Sequence, residues 1–279
     1  MDIQLYNNDC LEYIKNIQDA SIDMILCDPP YGNLVDKTRA SWDSDIDYDI
    51  LCSEFKRIIT DHGVIAIFGN EPFSSIIRLK MLDIYKYDFK WVKSKTTGFA
   101  NANYRPMNKY EDIMIFSKAN ASTGGKSNPM KYNPQGLIPV NKVKKNRSDR
   151  HGLVMGDTNN TGDNNSLLSD GTTYVQQYTN YPCNVLSFDN PSKYLHPTQK
   201  PVDLLMYLIR TFTDSGNTVF DCFMGSGSTG VACLHTDRNF IGIELDEKYF
   251  KIAQDRICQE EKQLKSKLFW GELYKCLKL

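Results

Sequence analysis

A glycine-rich turn near the end of the chain places the strongest constraint on its fold. The turn follows the apolar run Thr218–Phe220, and its glycines Gly225, Gly227 and Gly230 have the spacing G-x-G-x-x-G before a predicted helix. A second apolar run ends at Glu244, 17 residues after Gly227. In strand–turn–helix–strand units of this kind the glycines let a ligand approach the backbone, and the terminal carboxylate binds ribose hydroxyls. The pattern predicts an α/β unit that binds a nucleoside cofactor.

The rest of the chain repeats the alternation of apolar strands with amphipathic helices. Further strands are predicted at Ile3–Tyr6, Ile22–Cys27, Val64–Phe68, Asp88–Val92 and Asp112–Phe116. Helices are predicted at Asp9–Ile17, at Tyr48–Thr60, from Pro72 to about Leu82, at Pro201–Phe212 and from Asp246 to about Leu264. Strands that alternate with helices favour an α/β fold with a doubly wound sheet.

The alternation stops between Lys118 and Ser192. Gly, Ser, Thr and Asn supply 32 of these 75 residues. From Lys118 to His151, eight Lys and Arg residues stand against a single acid. So long an irregular stretch usually indicates function or disorder, and a local basic excess favours contact with a polyanion. We expect an inserted recognition region, with a solvated lysine-rich loop as the alternative.

Composition and the N-terminal residues bear on the cellular compartment. The start MDIQLYNNDCLEYI lacks the basic and apolar regions of a signal peptide, and no apolar run approaches the roughly 18 residues of a membrane helix. The eight cysteines include no C-x-x-C pair. We therefore expect a cytoplasmic protein with reduced, mostly buried thiols, no disulfides and no metal site.

Three segments together resemble the DNA amino-methyltransferases that use S-adenosylmethionine. They are CDPPYG (27–32), HPTQKPVDLLMYLI (196–209) and VFDCFMGSGSTGVACLHTDRNFIGIELDEKYFKIA (219–253). Their order, with the Asp-Pro-Pro-Tyr motif first and the cofactor loop last, is similar to that of the beta group. Two positions depart from the family pattern, because Cys222 replaces the usual proline and Ser228 the usual threonine.

The resemblance implies a circularly permuted, Rossmann-like methyltransferase fold with a mostly parallel seven-stranded sheet. It divides the chain into a catalytic half (1–117), an inserted target-recognition region (118–192), a cofactor-binding half (193–267) and a tail (268–279). Asp221, Glu244 and the loop residues Phe223, Gly225, Ser226 and Gly227 would bind S-adenosylmethionine. Asp9 would lie near its adenine, and Thr198, Gln199 and Lys200 near its methionine end.

The sequence Asp28-Pro29-Pro30-Tyr31 at the end of the strand Ile22–Cys27 fits the chemistry of this family. An exocyclic amino nitrogen of a base is a poor nucleophile because its lone pair is delocalised into the ring. If the Asp28 carboxylate and the Pro29 carbonyl each accept one amino N–H, the nitrogen is favoured in a tetrahedral arrangement. The prolines stiffen this acceptor pair and Tyr31 offers a stacking face. Asp28 could also seat the cofactor, and the target base must be flipped out of the duplex.

Specificity for a DNA sequence is expected from exposed loops. Asn101, Asn103 and Arg105 are candidates for reading bases in double-stranded DNA, because amide and guanidinium groups pair bidentately with adenine and guanine. Candidate phosphate contacts are Lys142, Lys144, Lys145 and Arg147. The family resemblance also allows a homodimer and a cognate restriction enzyme as partners. The sequence does not decide between a monomer and a dimer.

We conclude that the sequence predicts a site-specific DNA methyltransferase that acts on adenine N6. An aspartate at position 28 favours adenine, since serine is more usual for cytosine N4 and asparagine for protein glutamine. Cytosine N4, RNA and protein acceptors stay open, as does an inactive DNA-binding module. Pro182-Cys183 could suggest cytosine C5 chemistry, but the surrounding pattern of that family is missing. An NAD dehydrogenase would leave DPPY without a role.

Overall fold

A computed structural model describes residues 1–31, 46–122, 128–145 and 173–276. The chain divides into two compact units, one made of Met1–Asn133 with Cys183–Leu279, the other of Pro134–Pro182. The strands are β1 (Ile3–Asn7), β2 (Ile22–Cys27), β3 (Ile59–Gly69), β4 (Tyr85–Thr97), β5 (Asn108–Phe116), β6 (Ile138–Lys145), β7 (Thr173–Thr179), β8 (Val185–Phe188), β9 (Thr218–Asp221) and β10 (Asn239–Glu244). The α-helices are α1 (Cys10–Tyr13), α2 (Tyr48–Ile58), α3 (Phe73–Lys80), α4 (Val202–Phe212), α5 (Ser228–Thr236) and α6 (Glu247–Cys276).

The larger unit contains an eight-stranded sheet with the strand order β1-β10-β9-β2-β3-β5-β4-β8. All neighbouring pairs are parallel except those of β5, which runs antiparallel to both β3 and β4. The carboxyl ends of β1, β10, β9, β2, β3 and β4 therefore meet along one edge of the sheet, beside the start of β5. In open α/β sheets this edge is where ligands bind.

The sheet is covered on both faces, as its apolar strands predict. In β2, Met24 and Leu26 belong to the core on one face, whereas Ile25 and Cys27 belong to the core on the other. The first core includes residues of α4, α5 and α6, and the second includes residues of α2 and α3. Because successive strand residues point to opposite faces, strands buried on both sides read as continuous apolar runs.

Among the residues that the structure describes, the sheet has eight strands where seven were predicted. The additional strand β8 lies in the stretch predicted to be irregular and pairs with the edge strand β4. The same stretch supplies β6 and β7, which form an antiparallel pair in the smaller unit. Most residues of this pair are exposed on both faces, and β8 is only four residues long, so neither gives an alternating apolar pattern.

Several element boundaries also differ from the predictions, including those of α1, β3, β4, β5 and α6. β3 begins at Ile59, five residues before the predicted Val64, and α6 continues to Cys276, past the predicted end near Leu264. No proline lies between Leu264 and Cys276, so the sequence carries no strong stop signal at Leu264. Within the described ranges, no helix combines the length and apolar composition needed to cross a membrane.

Candidate active site

A cavity of about 640 Å³ lies along the carboxyl edge of the large sheet. It brings together most of the residues that the sequence singled out for catalysis and cofactor binding. These lining residues are Asp9, Asp28, Pro29, Pro30, Tyr31, Thr198, Gln199, Lys200, Asp221, Phe223, Gly225, Ser226 and Glu244. Their positions follow from the parallel strands, since β1, β2, β9 and β10 all end at this edge.

Asp221, the last residue of β9, holds the glycine turn rather than facing outward. Its Oδ2 accepts a hydrogen bond from the Thr229 hydroxyl at 2.6 Å, and its Oδ1 accepts one from the Phe223 N–H at 3.1 Å. Only 4% of the residue is exposed. Burial raises the pKa of Asp221 to about 7, although these two hydrogen bonds oppose the rise.

Glu244 anchors the same turn from the neighbouring strand. One carboxylate oxygen accepts the Gly225 N–H at 2.9 Å, and the other accepts the Asp246 N–H at 2.9 Å. Gly225 has φ +51°, a conformation that favours glycine. Burial raises the pKa of Glu244, and the hydrogen bonds from these backbone groups counteract it. The carboxylate and the turn therefore form one rigid wall of the cavity.

Gly227, which the family resemblance predicts to bind the cofactor, packs against α6. It has φ +75°, and a Cβ there would come within 3.0 Å of the Ala253 Cβ on α6. The residue therefore permits close packing of the turn against α6 and is absent from the cavity lining. Arg256 of α6 also binds the turn to this helix, because its guanidinium donates to the Ser226 carbonyl and to the Ser228 hydroxyl, both at 3.0 Å.

The segment before α4 forms another part of the cavity lining. The His196 ring packs edge-on against Tyr249, with centroids 4.3 Å apart, and Thr198 Oγ1 lies 3.1 Å from His196 Nδ1. Gln199 Oε1 accepts the Leu195 N–H at 2.8 Å. Asp9 caps α1 by accepting the Leu11 N–H at 2.7 Å. The side chains of Asp9, Thr198 and Gln199 are thus held by local hydrogen bonds.

Asp28 and Lys200, which both line the cavity, form an ion pair that is largely shielded from solvent. Lys200 Nζ lies 2.5 Å from Asp28 Oδ2 and 3.3 Å from Glu111 Oε2. Burial raises the pKa of Asp28, while the Lys200 charge lowers it. Burial alone would lower the pKa of Lys200, but Asp28 and Glu111 together raise it. Lys200 is therefore held as a cation between two carboxylates.

The prolines and Tyr31 fix the backbone after Asp28. The Tyr48 hydroxyl donates to the Pro30 carbonyl, and the Tyr31 hydroxyl lies 3.4 Å from Asp28 Oδ1. The Tyr31 ring packs against Phe73, with ring centroids 4.7 Å apart. Hence helices α2 and α3 support the Asp-Pro-Pro-Tyr turn from behind.

The predicted DNA contacts lie elsewhere. Asn101, Asn103 and Arg105 are exposed in the loop between β4 and β5, which begins after the cavity residue Thr97. Lys142 and Lys144 are exposed on β6 of the smaller unit. Lys145 is described only as a backbone position of β6, and Arg147 lies outside the described residues.

Several residues of the site were not predicted, chiefly Lys93, Glu111, His196, Tyr249 and Arg256. Lys93 is the last buried residue of β4 and Glu111 is the first buried residue of β5, each next to an exposed strand end. A buried charge needs a partner, so such positions point to an ion pair. Cys183, by contrast, is exposed and does not line the cavity, which removes the basis for cytosine C5 chemistry at that thiol.

An open parallel sheet with a glycine turn and a carboxylate at the adjoining strand end defines a Rossmann-like, nucleoside-binding class of protein. Comparison with known families makes this more specific. The family model described as DNA methylase, N6_N4_Mtase, matches residues 22–255. The chain belongs to this family of N6/N4 DNA methylases.

Individual relatives agree with the family assignment. The chain is 26% identical over 270 residues to type II methyltransferase M.HpaI of Haemophilus parainfluenzae, covering 93% of this chain and 76% of the relative. It is 28% identical to DNA adenine methyltransferase YhdJ of Escherichia coli K12, with coverages of 91% and 82%. Two solved structures share the fold. The M1.HpyAVI–SAM complex has a TM-score of 0.57 at 24% identity and coverages of 91% and 99%, and the cytosine-N4-specific PvuII DNA methyltransferase has 0.62 at 15%, with coverages of 94% and 92%.

Proposed function

We propose that this protein is a site-specific DNA methyltransferase that transfers a methyl group from S-adenosylmethionine to the N6 amino group of adenine. The observation that carries the proposal is that one cavity is lined both by Asp28-Pro29-Pro30-Tyr31 and by the glycine turn with Glu244. A motif suited to hold an amino group thus lies beside a motif suited to hold a nucleoside cofactor. The name of the relative YhdJ, a DNA adenine methyltransferase, supports adenine as the target.

The residues around the glycine turn fit S-adenosylmethionine. Gly225 presents backbone without a side chain toward the cavity, and Glu244 offers a carboxylate at the end of β10 for ribose hydroxyls. Phe223 and Ser226 would complete this wall, with Asp9 near the adenine and Thr198, Gln199 and Lys200 near the methionine end. When bound, the cofactor supplies an electrophilic methyl group on a sulfonium. The carboxylates of the lining suit that positive charge.

Asp28 would orient the target amino group. In the structure its Oδ2 is held by Lys200, whereas its Oδ1 is approached by the Tyr31 hydroxyl at the longer distance of 3.4 Å. Oδ1 is therefore the oxygen that we assign to accept one amino N–H, with the Pro29 carbonyl accepting the other. As the nitrogen gains the methyl group it must lose a proton, and Asp28 Oδ1 is the acceptor within reach. The rate enhancement would come from the positioning of the amino group and from the orientation of these two hydrogen-bond acceptors.

The target base must leave the duplex to reach this cavity. Extrusion costs a few kcal/mol, which stacking and hydrogen bonds in the pocket can offset. Tyr31 is assigned to stack on the flipped base. Asn101, Asn103 and Arg105 would read neighbouring bases, and Lys142, Lys144, Lys145 and Arg147 would bind phosphates.

The remaining features are proposed on the same basis. The order of the motifs supports a circularly permuted, beta-group chain with a catalytic half (1–117), a target-recognition region (118–192), a cofactor-binding half (193–267) and a tail (268–279). A homodimer, a cognate restriction enzyme and a cytoplasmic location stay predictions of the family resemblance.

Cytosine N4 is the second candidate target. Its exocyclic amino group poses the same chemical problem, and the PvuII enzyme with the same fold is named as cytosine-N4-specific. Asp28, where serine is more usual for cytosine, favours adenine. An inactive DNA-binding module is the other alternative, and it would lack cofactor turnover.

Nucleoside analysis distinguishes these candidates. Purified protein would be incubated with DNA and methyl-labelled S-adenosylmethionine, and the digested nucleosides separated by mass. We expect labelled N6-methyladenine with the parent protein and none with Asp28→Ala. Label in N4-methylcytosine would move the target to cytosine. Absence of any labelled nucleoside, despite measured cofactor binding, would overturn the proposed reaction.

A further inference from the structure

Four charged side chains, three of them buried and the fourth, that of Asp28, largely shielded from solvent, form a chain of contacts that alternates in sign. The sequence of contacts is Asp28 to Lys200 at 2.5 Å, Lys200 to Glu111 at 3.3 Å, and Glu111 to Lys93 at 2.5 Å. Their side chains are 16%, 9%, 11% and 7% exposed, respectively. Glu111 lies on β5 and Lys93 on β4, and both line the cavity. Two carboxylates thus share one lysine, and the second carboxylate has its own cation.

Lys200 has limited freedom in this arrangement. Its ammonium lies 5.0 Å from the centroid of the Phe68 ring and between the two carboxylates, so the balance of the two attractions sets its position. The negative charge of Glu111 is in turn balanced by Lys93, which lies 5.3 Å from the Trp91 ring centroid. A change in the charge of either residue would therefore change the force that Lys200 exerts on Asp28.

We propose that Glu111 and Lys93 are positioning residues for methyl transfer, which hold Lys200 against Asp28 Oδ2 and leave Asp28 Oδ1 directed at the target amino group. This inference rests on the proposed function. It assigns a role to two residues that lie outside the Asp-Pro-Pro-Tyr, His-Pro-Thr-Gln-Lys-Pro and glycine-turn segments.

The next residue of the same strand provides a matched control. Asp112 is 2% exposed, and its carboxylate pairs with Arg78 at 2.9 Å and with Lys90 at 2.5 Å. None of these three residues lines the cavity. Asp112→Asn therefore removes a buried, ion-paired carboxylate from β5 without touching the site, and it reports the general cost of such a change.

The charges around Asp28 determine the sign of the expected effects. The titratable or charged groups that face Asp28 or its partner are Lys200, Glu111, Tyr31, Asp221, Cys27, Lys93 and His196. Burial raises the pKa of Asp28, Lys200 lowers it, and Glu111 raises it. Removing Glu111 should therefore lower this pKa. Removing Lys93 leaves Glu111 uncompensated, which should raise it.

The test compares Glu111→Gln, Lys93→Met and the double variant with Asp112→Asn. The measurement is kcat against pH for methylation of a DNA substrate, with the melting temperature of each protein as the check on folding. We expect the acid limb to move to lower pH in Glu111→Gln and to higher pH in Lys93→Met, each by about one unit. The acid limb of the double variant should lie between those of the single variants, and Asp112→Asn should have the same acid limb as the parent.

The signed comparison does not depend on every variant folding. If Lys93→Met does not fold, the acid limb of Glu111→Gln must still lie at a lower pH than that of the double variant, in which both charges are replaced by neutral groups. Unshifted limbs, or shifts of both single variants in the same direction, would overturn the inference. Such a result with an active parent and inactive Asp28→Ala would leave the proposed function standing, whereas an inactive parent would reject the function itself.

Discussion

Lys200 Nζ lies 2.5 Å from Asp28 Oδ2, although 172 residues separate the two in the chain. Asp28 follows β2, and Lys200 precedes α4. Folding of the parallel sheet therefore joins an early and a late segment into one ion pair. The pair links the acceptor proposed for the target amino group to a fixed positive charge.

Replacement of Lys200 by methionine should impair methylation by on the order of 100-fold, because Asp28 would lose the contact that fixes its orientation. Without the lysine charge the pKa of Asp28 should also rise, so the residual activity should require higher pH. Steady-state kinetics across pH checks both effects. Lys90→Met, which removes a lysine from the Asp112 cluster, should retain the parent pH profile.

Asp221 should make stability depend on pH in an unusual direction. Its folded-state pKa of about 7 exceeds that of the unfolded chain, so the folded protein binds the proton more tightly. Its contribution to stability is full below about pH 4 and is lost as pH rises to about 7. Asp221→Asn, which keeps an acceptor oxygen, should gain stability relative to the parent over this range, by up to about 4 kcal/mol. Thermal unfolding of both proteins at pH 5 and pH 8 measures this gain. A larger gain of Asp221→Asn over the parent at pH 5 than at pH 8 would contradict the prediction.

Alanine substitutions at Gly227 and Gly216 distinguish the cost of backbone strain from the cost of steric overlap. Both have positive φ, +75° and +83°, but a Cβ at Gly227 would lie 3.0 Å from Ala253, whereas one at Gly216 would meet no atom of the described residues within 4 Å. Gly216→Ala should cost about 1 kcal/mol from strain alone. Gly227→Ala should cost a further 1–3 kcal/mol, roughly the penalty for overpacking. Chemical denaturation gives both values, and equal losses would show that the overlap is relieved.

Lys142 and Lys144 test the assigned phosphate contacts. Each is exposed on β6, so alanine substitutions should leave folding unchanged. If both bind phosphates, the double alanine variant should reduce the slope of log affinity against log salt by about 1.8. Duplex binding measured by fluorescence anisotropy over a salt series supplies the slope. A double substitution of Lys251 and Lys262, exposed on α6, is the matched control, and an equal effect there would argue for a non-specific charge contribution.

The sequence anticipated the main features of the site because they depend on local chemistry. A strand that ends in Asp28, and a glycine turn followed by Glu244, can be recognised from residue type and spacing. Parallel pairing then brings the strand ends together, and that step follows from the alternation of strands and helices.

Features that depend on long-range pairing were harder to anticipate. Glu111 reaches Lys200 only because β5 runs antiparallel between β3 and β4, and nothing in the local sequence specifies that order. Likewise, Gly227 was assigned to the cofactor, but its contact with Ala253 depends on where α6 packs. The strands β6, β7 and β8 gave no pattern because they are short or exposed, and burial on one face is what creates an alternating pattern.

Base-resolution mapping of methylation in cells shows whether this protein modifies adenine and whether the modification requires Asp28. DNA would be sequenced from cells that express the parent protein, Asp28→Ala or Asp112→Asn. We expect N6-methyladenine at one recurring short sequence with the parent and with Asp112→Asn, and its loss with Asp28→Ala. An unchanged adenine mark in the Asp28→Ala cells, or no DNA mark with the parent, would contradict it.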